Sequence, residues 1–277
     1  MPDIVVVKCA GNGTADVAAI CADVGALTGA GRRVVLVHGG SADIARLAAR
    51  LGVPQRQLLA PDGSVGRYTD AATLEVTLLA LAGAAKPRLL VGLLCAGVPA
   101  VGLTGLDAGL LRARRVAAHR AVLDGRTVVV RDDHSGRLVG ARPELLTHLL
   151  HAGHVPVVSP PALGEDGRPL NVNADRAAAA IAVALRASAL VLLTGAPGVL
   201  ADATDERTLR RVVPVGAGPL PPGVTGGMAV KLLAARSAVE AGIPSVRIAD
   251  ARVPAPVTAA LADAGSRIVP APVAAAR

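Results

Sequence analysis

The chain has 277 residues, 52% of them hydrophobic, enough to bury a large core as one α/β unit or two lobes. Its 29 Lys plus Arg against 21 Asp plus Glu leave a formal net charge of +8, which favours an anionic substrate or an acidic partner. With no Phe, no Trp and a single Tyr there is almost nothing to stack on bases, which argues against nucleic acid. Cys9, Cys21 and Cys95, in no CxxC pair, argue against a disulfide framework or a zinc site.

The first predicted element is the strand IVVVK (4–8), which ends on Lys8. No basic segment precedes it and Asp3 stands ahead of it, so no signal peptide is read there and a soluble, cytoplasmic protein is expected. Only three basic residues are lysines: Lys8, Lys86 and Lys231. Where arginine holds nearly every other basic position, a lysine marks a place that needs a compact ammonium rather than a broad guanidinium. GNGTAD (11–16) lacks the third glycine of the dinucleotide fingerprint and no Walker sequence exists, so neither phosphate motif is supported.

RVVLVHG (33–39) is a second strand, followed by Gly39, Gly40 and a helix for which Ser41 is the expected N-cap. Paired glycines before a helix start let a ligand oxygen approach the main chain, although tight packing accounts for them equally. The uncharged run from Leu89 to Leu106 is broken by Gly92, Gly97, Pro99 and Gly102. It reads as helix, turn and strand VPAVGL (98–103) rather than a membrane span. RTVVVRDDHSGRLVG (126–140) reads as a hairpin turning at DDHSG, an antiparallel flap beside the main sheet.

After the strand HVPVVS (154–159), the turn-rich GEDGRPL (164–170) is the expected lobe boundary. LNVNAD (170–175) leads into a helix near Ala174, and ALVLLTG (189–195) and PSVRIAD (244–250) are further strands. GAGPLPPGVTGG (216–227) is too rich in Pro and Gly for anything but a loop, and GGMAVK (226–231) starts an Ala-rich helix. Continuously apolar strands separated by helices predict a parallel, three-layer α/β/α sheet. Ligands of such sheets bind outside the strands' carboxyl ends, where Lys8 and, across the cleft, Lys231 are expected. His148, His151 and His154 are not read as a metal site, because Gly153 ends their helix and no Cys or acid stands at ligand spacing. Lys86 reads as an ion pair or dimer contact, and Tyr68 as pocket-lining or core.

These elements, in this order, resemble the amino acid kinase superfamily and, within it, the acetylglutamate kinase group. The resemblance rests on Lys8 with Gly11, VHGGS (37–41), Arg67 in GRYTD (66–70), LNVNADRAAAAIA (170–182), LLTGAPGVL (192–200) and GGMAVK (226–231), and covers essentially the whole chain. It implies the amino acid kinase fold, a three-layer α/β/α sandwich on a mostly parallel sheet. Residues 1–168 would bind the carboxylate substrate and dimerise, and residues 169–277 would bind ATP. The implied reaction moves the γ-phosphoryl group of MgATP, with ATP and Mg2+ required, onto a side-chain carboxylate to give an acyl phosphate. A carboxylate is already ionised and nucleophilic, so positioning and charge stabilisation suffice.

By the same resemblance, Lys8 and Lys231 would neutralise the transferring group and Asp175 would orient them. Gly39, Gly40 and Ser41 would bring main-chain N–H groups to the substrate, Arg67 would clamp a carboxylate, and Asn171 and Asn173 would complete the acceptor site. Gly11, Asn12, Thr194, Gly195, Gly198, Gly226, Gly227 and Met228 would surround the nucleotide. Two departures stand out. Ala10 occupies a position where the group usually has Gly, and Gly195 one where an aspartate is common. A catalytically weak regulatory or binding homologue is the reading they favour.

GRYTDAATLEV (66–76), VGLTGLDAGLLRARR (101–115), SPPAL (159–163) and ADARV (249–253) resemble kinases whose aminoadipate or glutamate is attached to a small acidic amino-group carrier protein of the LysW type. NVNAD (171–175) resembles the acetylglutamate kinases, which act on free N-acetyl-L-glutamate. Docking an acidic protein needs a basic apron around the cleft, and Arg112, Arg114, Arg115, Arg120 and Arg126 precede or enter the flap. The carrier-bound substrate is therefore expected, with the free acetylated amino acid as the alternative. A homodimer is expected, with neither nucleic acid nor membrane as partner.

Overall fold

Every residue of β1 (Ile4–Cys9) is buried. Val5 and Val7 face one way and join Val34 and Leu36 of β2 (Arg33–His38), while Ile4 and Val6 face the other way and join Val35 and Val37. A strand with apolar side chains on both faces must be covered on both, and that requirement organises the molecule. The computed structural model describes residues 3–9, 16–59, 65–115, 119–123 and 126–272.

Between these strands lies α1 (Val17–Gly29), capped by Asp16, whose carboxylate accepts the N–H groups of Ala18 and Ala19. After β2 come α2 (Ser41–Leu51), the short β3 (Gln57–Leu59) and β4 (Val65–Arg67). A long helix follows, made of α3 (Ala71–Ala80), a π-helical stretch (Leu81–Ala85) and α4 (Lys86–Cys95). Next are β5 (Ala100–Gly105), β6 (Leu111–Arg115), β7 (His119–Leu123), β8 (Arg126–Val130), β9 (Gly136–Ala141) and α5 (Glu144–His151). The second half holds β10 (Val155–Gly164), β11 (Pro169–Leu170), α6 (Ala174–Ala184), β12 (Ala189–Thr194), β13 (Val212–Val215), α7 (Gly226–Glu240), β14 (Ser245–Asp250), α8 (Pro256–Leu261) and β15 (Ser266–Pro270).

The main sheet runs β13-β15-β14-β12-β1-β2-β10-β6-β9, with β5 and β11 also paired to β10. It is mostly parallel; β14–β15, β10–β11 and β6–β9 are its antiparallel pairs. Leu146 of α5, Ile181 of α6 and Leu232 of α7 fill one face. Ile20 of α1, Leu93 of α4 and Val257 of α8 fill the other, which completes the three-layer α/β/α sandwich expected from the sequence. The joint at 164–170 does not interrupt the sheet, since β10 and β11 pair across it.

The stretch 126–140 departs from its expected form. β8 and β9 both exist, but β8 pairs with β7 in a separate antiparallel sheet, β4-β3-β7-β8, and β9 pairs with β6 in the main one. DDHSG is therefore a crossing between sheets rather than a hairpin turn. The Asp133 carboxylate accepts the N–H of Ser135 within the stretch and, across the molecule, that of Thr69, two residues past β4. The run Leu89 to Leu106 does form helix, turn and strand. Ala71–Cys95 is long and apolar enough by length and composition to cross a membrane. Leu89 and Leu93 on its inner side lie in the core, and Leu79, Val91 and Leu94 are exposed.

Asp23 of α1 is buried and takes over the cap of α8, whose own N-cap residue, Ala255, has no side-chain acceptor. Its carboxylate accepts the N–H of Val257 at 2.6 Å and of Thr258 at 3.0 Å, and the Thr258 hydroxyl. Asp23→Ala leaves these donors unpaired and is expected to cost about 2 kcal/mol, seen as a lower urea midpoint at unchanged m.

Candidate active site

Because β1, β2 and β12 are parallel neighbours, their carboxyl ends open on one edge, where Lys8 sits in register with Leu192 and Val37. α6 starts beside this edge. Asn173 caps it, accepting the N–H groups of Asp175 and Arg176 at 2.9 and 3.1 Å, and so fixes Asp175 in the first turn. One Asp175 oxygen, Oδ1, receives two ammonium groups: Lys231 Nζ from α7 at 2.6 Å and Lys8 Nζ from β1 at 3.1 Å. Lys231 also donates to the Leu193 carbonyl of β12 at 3.4 Å.

All three side chains are buried, with residue exposures of 8% for Lys8 and 6% each for Asp175 and Lys231. Burial alone would raise the Asp175 carboxyl, but the two ammonium groups outweigh it and hold it below the usual carboxylate range. Burial, and then the neighbouring Lys8 charge, lower Lys231 to about 8, against the opposing pull of Asp175. One carboxylate cannot neutralise two cations. Two ammonium groups thus face one carboxylate at low exposure, an arrangement able to accept an anion.

Arg67, at the end of β4, is half-buried, and burial lowers its pKa. Its guanidinium has no acidic partner among the described residues. The Asn171 amide donates to the Thr69 hydroxyl at 3.1 Å. Gly39 and Gly40 lie between β2 and α2; a Cβ on Gly40 would stand 2.8 Å from Leu81 of the long helix. The Leu81 methyl would have to shift to admit it, so close packing favours the glycine.

Several expected site residues have other duties. The Asn173 carboxamide oxygen is engaged in the α6 cap. Gly40, not Ser41, is the N-cap of α2, and Ser41 is the first helical residue. Gly198 is small because a Cβ would fall 2.6 Å from Ser266 Oγ of β15, and Met228 packs against the core. Thr194 ends β12, its carbonyl accepting Ala251 N–H, and Gly195 follows it. Gly226 and Gly227 open α7, Gly226 at φ +54. Gly11 and Asn12, like Ala10, lie outside the described residues.

The arginine apron is partly consumed by the protein itself. Arg115 donates to the carbonyls of Asp133 and Arg131 at 3.1 and 3.2 Å, because β6 ends beside the crossing strand. Arg114 is exposed but forks onto Glu165 at 3.0–3.2 Å. Arg112 is half-buried, and Arg120 and Arg126 lie on β7 and β8. Tyr68 is a core residue of the small sheet, packed with Leu58 and Val130, with the Arg56 guanidinium 4.5 Å from its ring centre. Lys86 is buried with its stem against Gly102 and is lowered to about 8 by burial, Asp107 opposing. No ion pair within 4 Å holds it among the described residues. Among those residues no group of His, Cys, Asp and Glu is placed to hold a metal ion. Missed in the sequence were Thr69, Asp133 and Ser135, which surround Arg67 and Asn171; a turn reading of DDHSG hides them.

The family model described as Amino acid kinase family matches residues 3–250. The chain is 39% identical over 265 residues to the LysW-aminoadipate kinase of Deinococcus radiodurans, covering 95% of this chain and 91% of that protein. For the LysW-aminoadipate kinase of Thermus thermophilus the identity is 38%, over 95% of this chain and 99% of the relative. The acetylglutamate kinase of Methanopyrus kandleri is 45% identical over a shorter 211 residues, 75% of this chain and 82% of that one. Among solved structures, smu.665 from Streptococcus mutans superposes with a TM-score of 0.74 at 23% identity, covering 97% of this chain and 99% of that chain, a likeness of fold.

Asp175→Asn removes the negative charge that two buried ammonium groups share. The expected cost is about 3 kcal/mol in urea unfolding. Losing its acid partner also drops Lys231 further below about 8, so at neutral pH Lys231 should be acylated faster than in the native protein, read by peptide mass spectrometry.

Proposed function

The chain belongs to the amino acid kinase family, and from that premise we propose that it moves the γ-phosphoryl group of ATP onto the side-chain carboxylate of 2-aminoadipate or glutamate held by a small acidic carrier protein of the LysW type. One observation carries the reading: two ammonium groups converge on a single buried carboxylate oxygen at the end of a parallel strand. Lys8 and Lys231 stabilise the charge on the transferring group, and Asp175 holds their tips. Asp175 is not the base, because a carboxyl kept below its ordinary range is a poor proton acceptor at neutral pH. None is needed, since the acceptor arrives ionised.

Residues 1–168 hold the acceptor. Arg67, half-buried and without an acidic partner among the described residues, clamps a carboxylate of the amino acid; Gly39 and Gly40 line its approach, and Asn171 joins them from the other half of the chain. Residues 169–277 hold ATP, around Thr194, Gly195 and the start of α7. With Asp175 already shared by two lysines, the site fits a Mg2+ carried on the nucleotide's own phosphates and waters better than one on a protein cage. The apolar outer side of the long helix, with Leu79, Val91 and Leu94 exposed, supports a homodimer. Such relatives support a soluble, cytoplasmic enzyme.

The identity to an acetylglutamate kinase and the NVNAD stretch favour a second reading, free N-acetyl-L-glutamate as acceptor. Hydroxylamine trapping of the acyl phosphate separates the two, with MgATP and carrier-linked aminoadipate, carrier-linked glutamate or free N-acetyl-L-glutamate. Hydroxamate should form at least about tenfold faster with a carrier-linked acceptor. The reverse preference replaces the carrier reading, and no hydroxamate from any of them sinks the kinase reading. Lys8→Arg and Lys231→Arg should each lower kcat about 100-fold or more in a folded protein.

The pH dependence has a definite sign. Lys231 is charged below about 8 and neutral above it, so kcat/KM for ATP should be level through pH 7 and fall on the alkaline side. A profile still level at pH 9.5 would remove Lys231 from the charge balance.

A further inference from the structure

Thr69 is fully buried, and every polar atom it has is engaged. Its N–H donates to the Asp133 carboxylate at 3.1 Å, and its carbonyl accepts the His134 N–H at 2.7 Å. Its hydroxyl donates to the Arg67 carbonyl at 3.1 Å while accepting the Asn171 amide at 3.1 Å and the Ser135 hydroxyl at 3.2 Å. Three segments far apart in sequence thus meet on one residue: the end of β4, the crossing between the two sheets, and the stretch that leads into α6. Main-chain bonds reinforce the meeting, Asn171 N–H to His134 carbonyl at 2.9 Å and Gly136 N–H to Asn171 carbonyl at 2.8 Å.

The two residues read above as gripping the acceptor, Arg67 and Asn171, come from different halves of the chain, and Thr69 touches both. Asn171 has one amide nitrogen committed to that hydroxyl. The bond fixes the rotamer and leaves the carboxamide oxygen to face a donor. We propose that Thr69 is a positioning residue for the acceptor: its hydroxyl locks the Arg67 main chain and the Asn171 amide in one frame and ties both to the small antiparallel sheet. This rests on the acceptor roles of Arg67 and Asn171 under the proposed function. A methyl of similar volume can fill the space of the hydroxyl but can neither donate nor accept, so Thr69→Val keeps the packing and removes the lock.

The experiment has two arms. In the first, amide hydrogen exchange of the full chain is compared for the native protein, Thr69→Val and Thr69→Ser. Thr69→Val should speed exchange about fivefold or more in peptides from 65–70, 131–136 and 169–175 together, leaving α7 unchanged, and Thr69→Ser should restore the native pattern. A change confined to 65–70, or none, overturns the lock. In the second, Thr69→Val should raise KM for the trapped acceptor about tenfold with KM for ATP within about twofold, and Thr69→Ser should recover most of the loss. Equal rises in both constants, or a lower melting temperature with both unchanged, would reduce Thr69 to a general structural role. If the native enzyme yields no acyl phosphate the kinase reading has failed, and the exchange arm decides the lock by itself.

Discussion

Two ammonium groups lean on one carboxylate oxygen inside the protein, and the charge left over after they pair determines what the strand ends can do. Lys8 and Lys231, both buried, reach Asp175 Oδ1. Like charges repel far more strongly out of water than in it, so such an arrangement persists only where the surroundings hold each partner separately. Here β1 fixes Lys8, the capped first turn of α6 fixes Asp175, and α7 with the Leu193 carbonyl fixes Lys231. Burial and the neighbouring Lys8 charge both work against a charged Lys231, so the charged cluster carries this cost before any ligand arrives. An anion entering the site would relieve that cost, which is the physical ground of the proposed role in phosphoryl transfer.

The fold builds the cluster from ordinary parts. Parallel strands present their carboxyl ends together, and a helix that starts there points its free N–H groups and the positive end of its dipole at the same edge. Asp175, in the first turn of α6, gains from that dipole as well as from the lysines. Asn173 contributes by satisfying two of the helix's N–H groups, which holds Asp175 at a fixed angle. It thereby acts on the site through the helix start.

What could be read from the sequence follows from this division of labour. Strands buried on both faces must be largely apolar, so β1, β2 and β12 are visible as continuous runs. Lys8 and Lys231 stand out because arginine dominates elsewhere, and Asp175 becomes visible only with the family resemblance. Residues whose side chains can either cap, pack or bind are not separable this way. Asn173, Gly198 and Met228 have the composition of a ligand site and the contacts of a cap and a core. DDHSG has the local chemistry of a turn, and nothing nearby in sequence tells that Asp133 serves Thr69 across the molecule.

Net charge supports the carrier-bound acceptor less than the layout of the small sheet does. Arg115 is spent on main-chain carbonyls and Arg114 on Glu165, so two cations of the expected apron already have partners. Yet β4, which ends on Arg67, belongs to the same four-stranded sheet as β7 and β8, which carry Arg120 and Arg126. A free amino acid has no use for that continuity. An amino acid tethered to a protein does, because the tether and the reacting carboxylate must be held in one frame at once, and the number of such frames falls as the holding elements share a sheet. The register of the small sheet puts Arg120 on the same face as Arg67 and Arg126 on the other, so the proposed carboxylate clamp and one arginine of the expected apron share a face on which a tethered amino acid would be held.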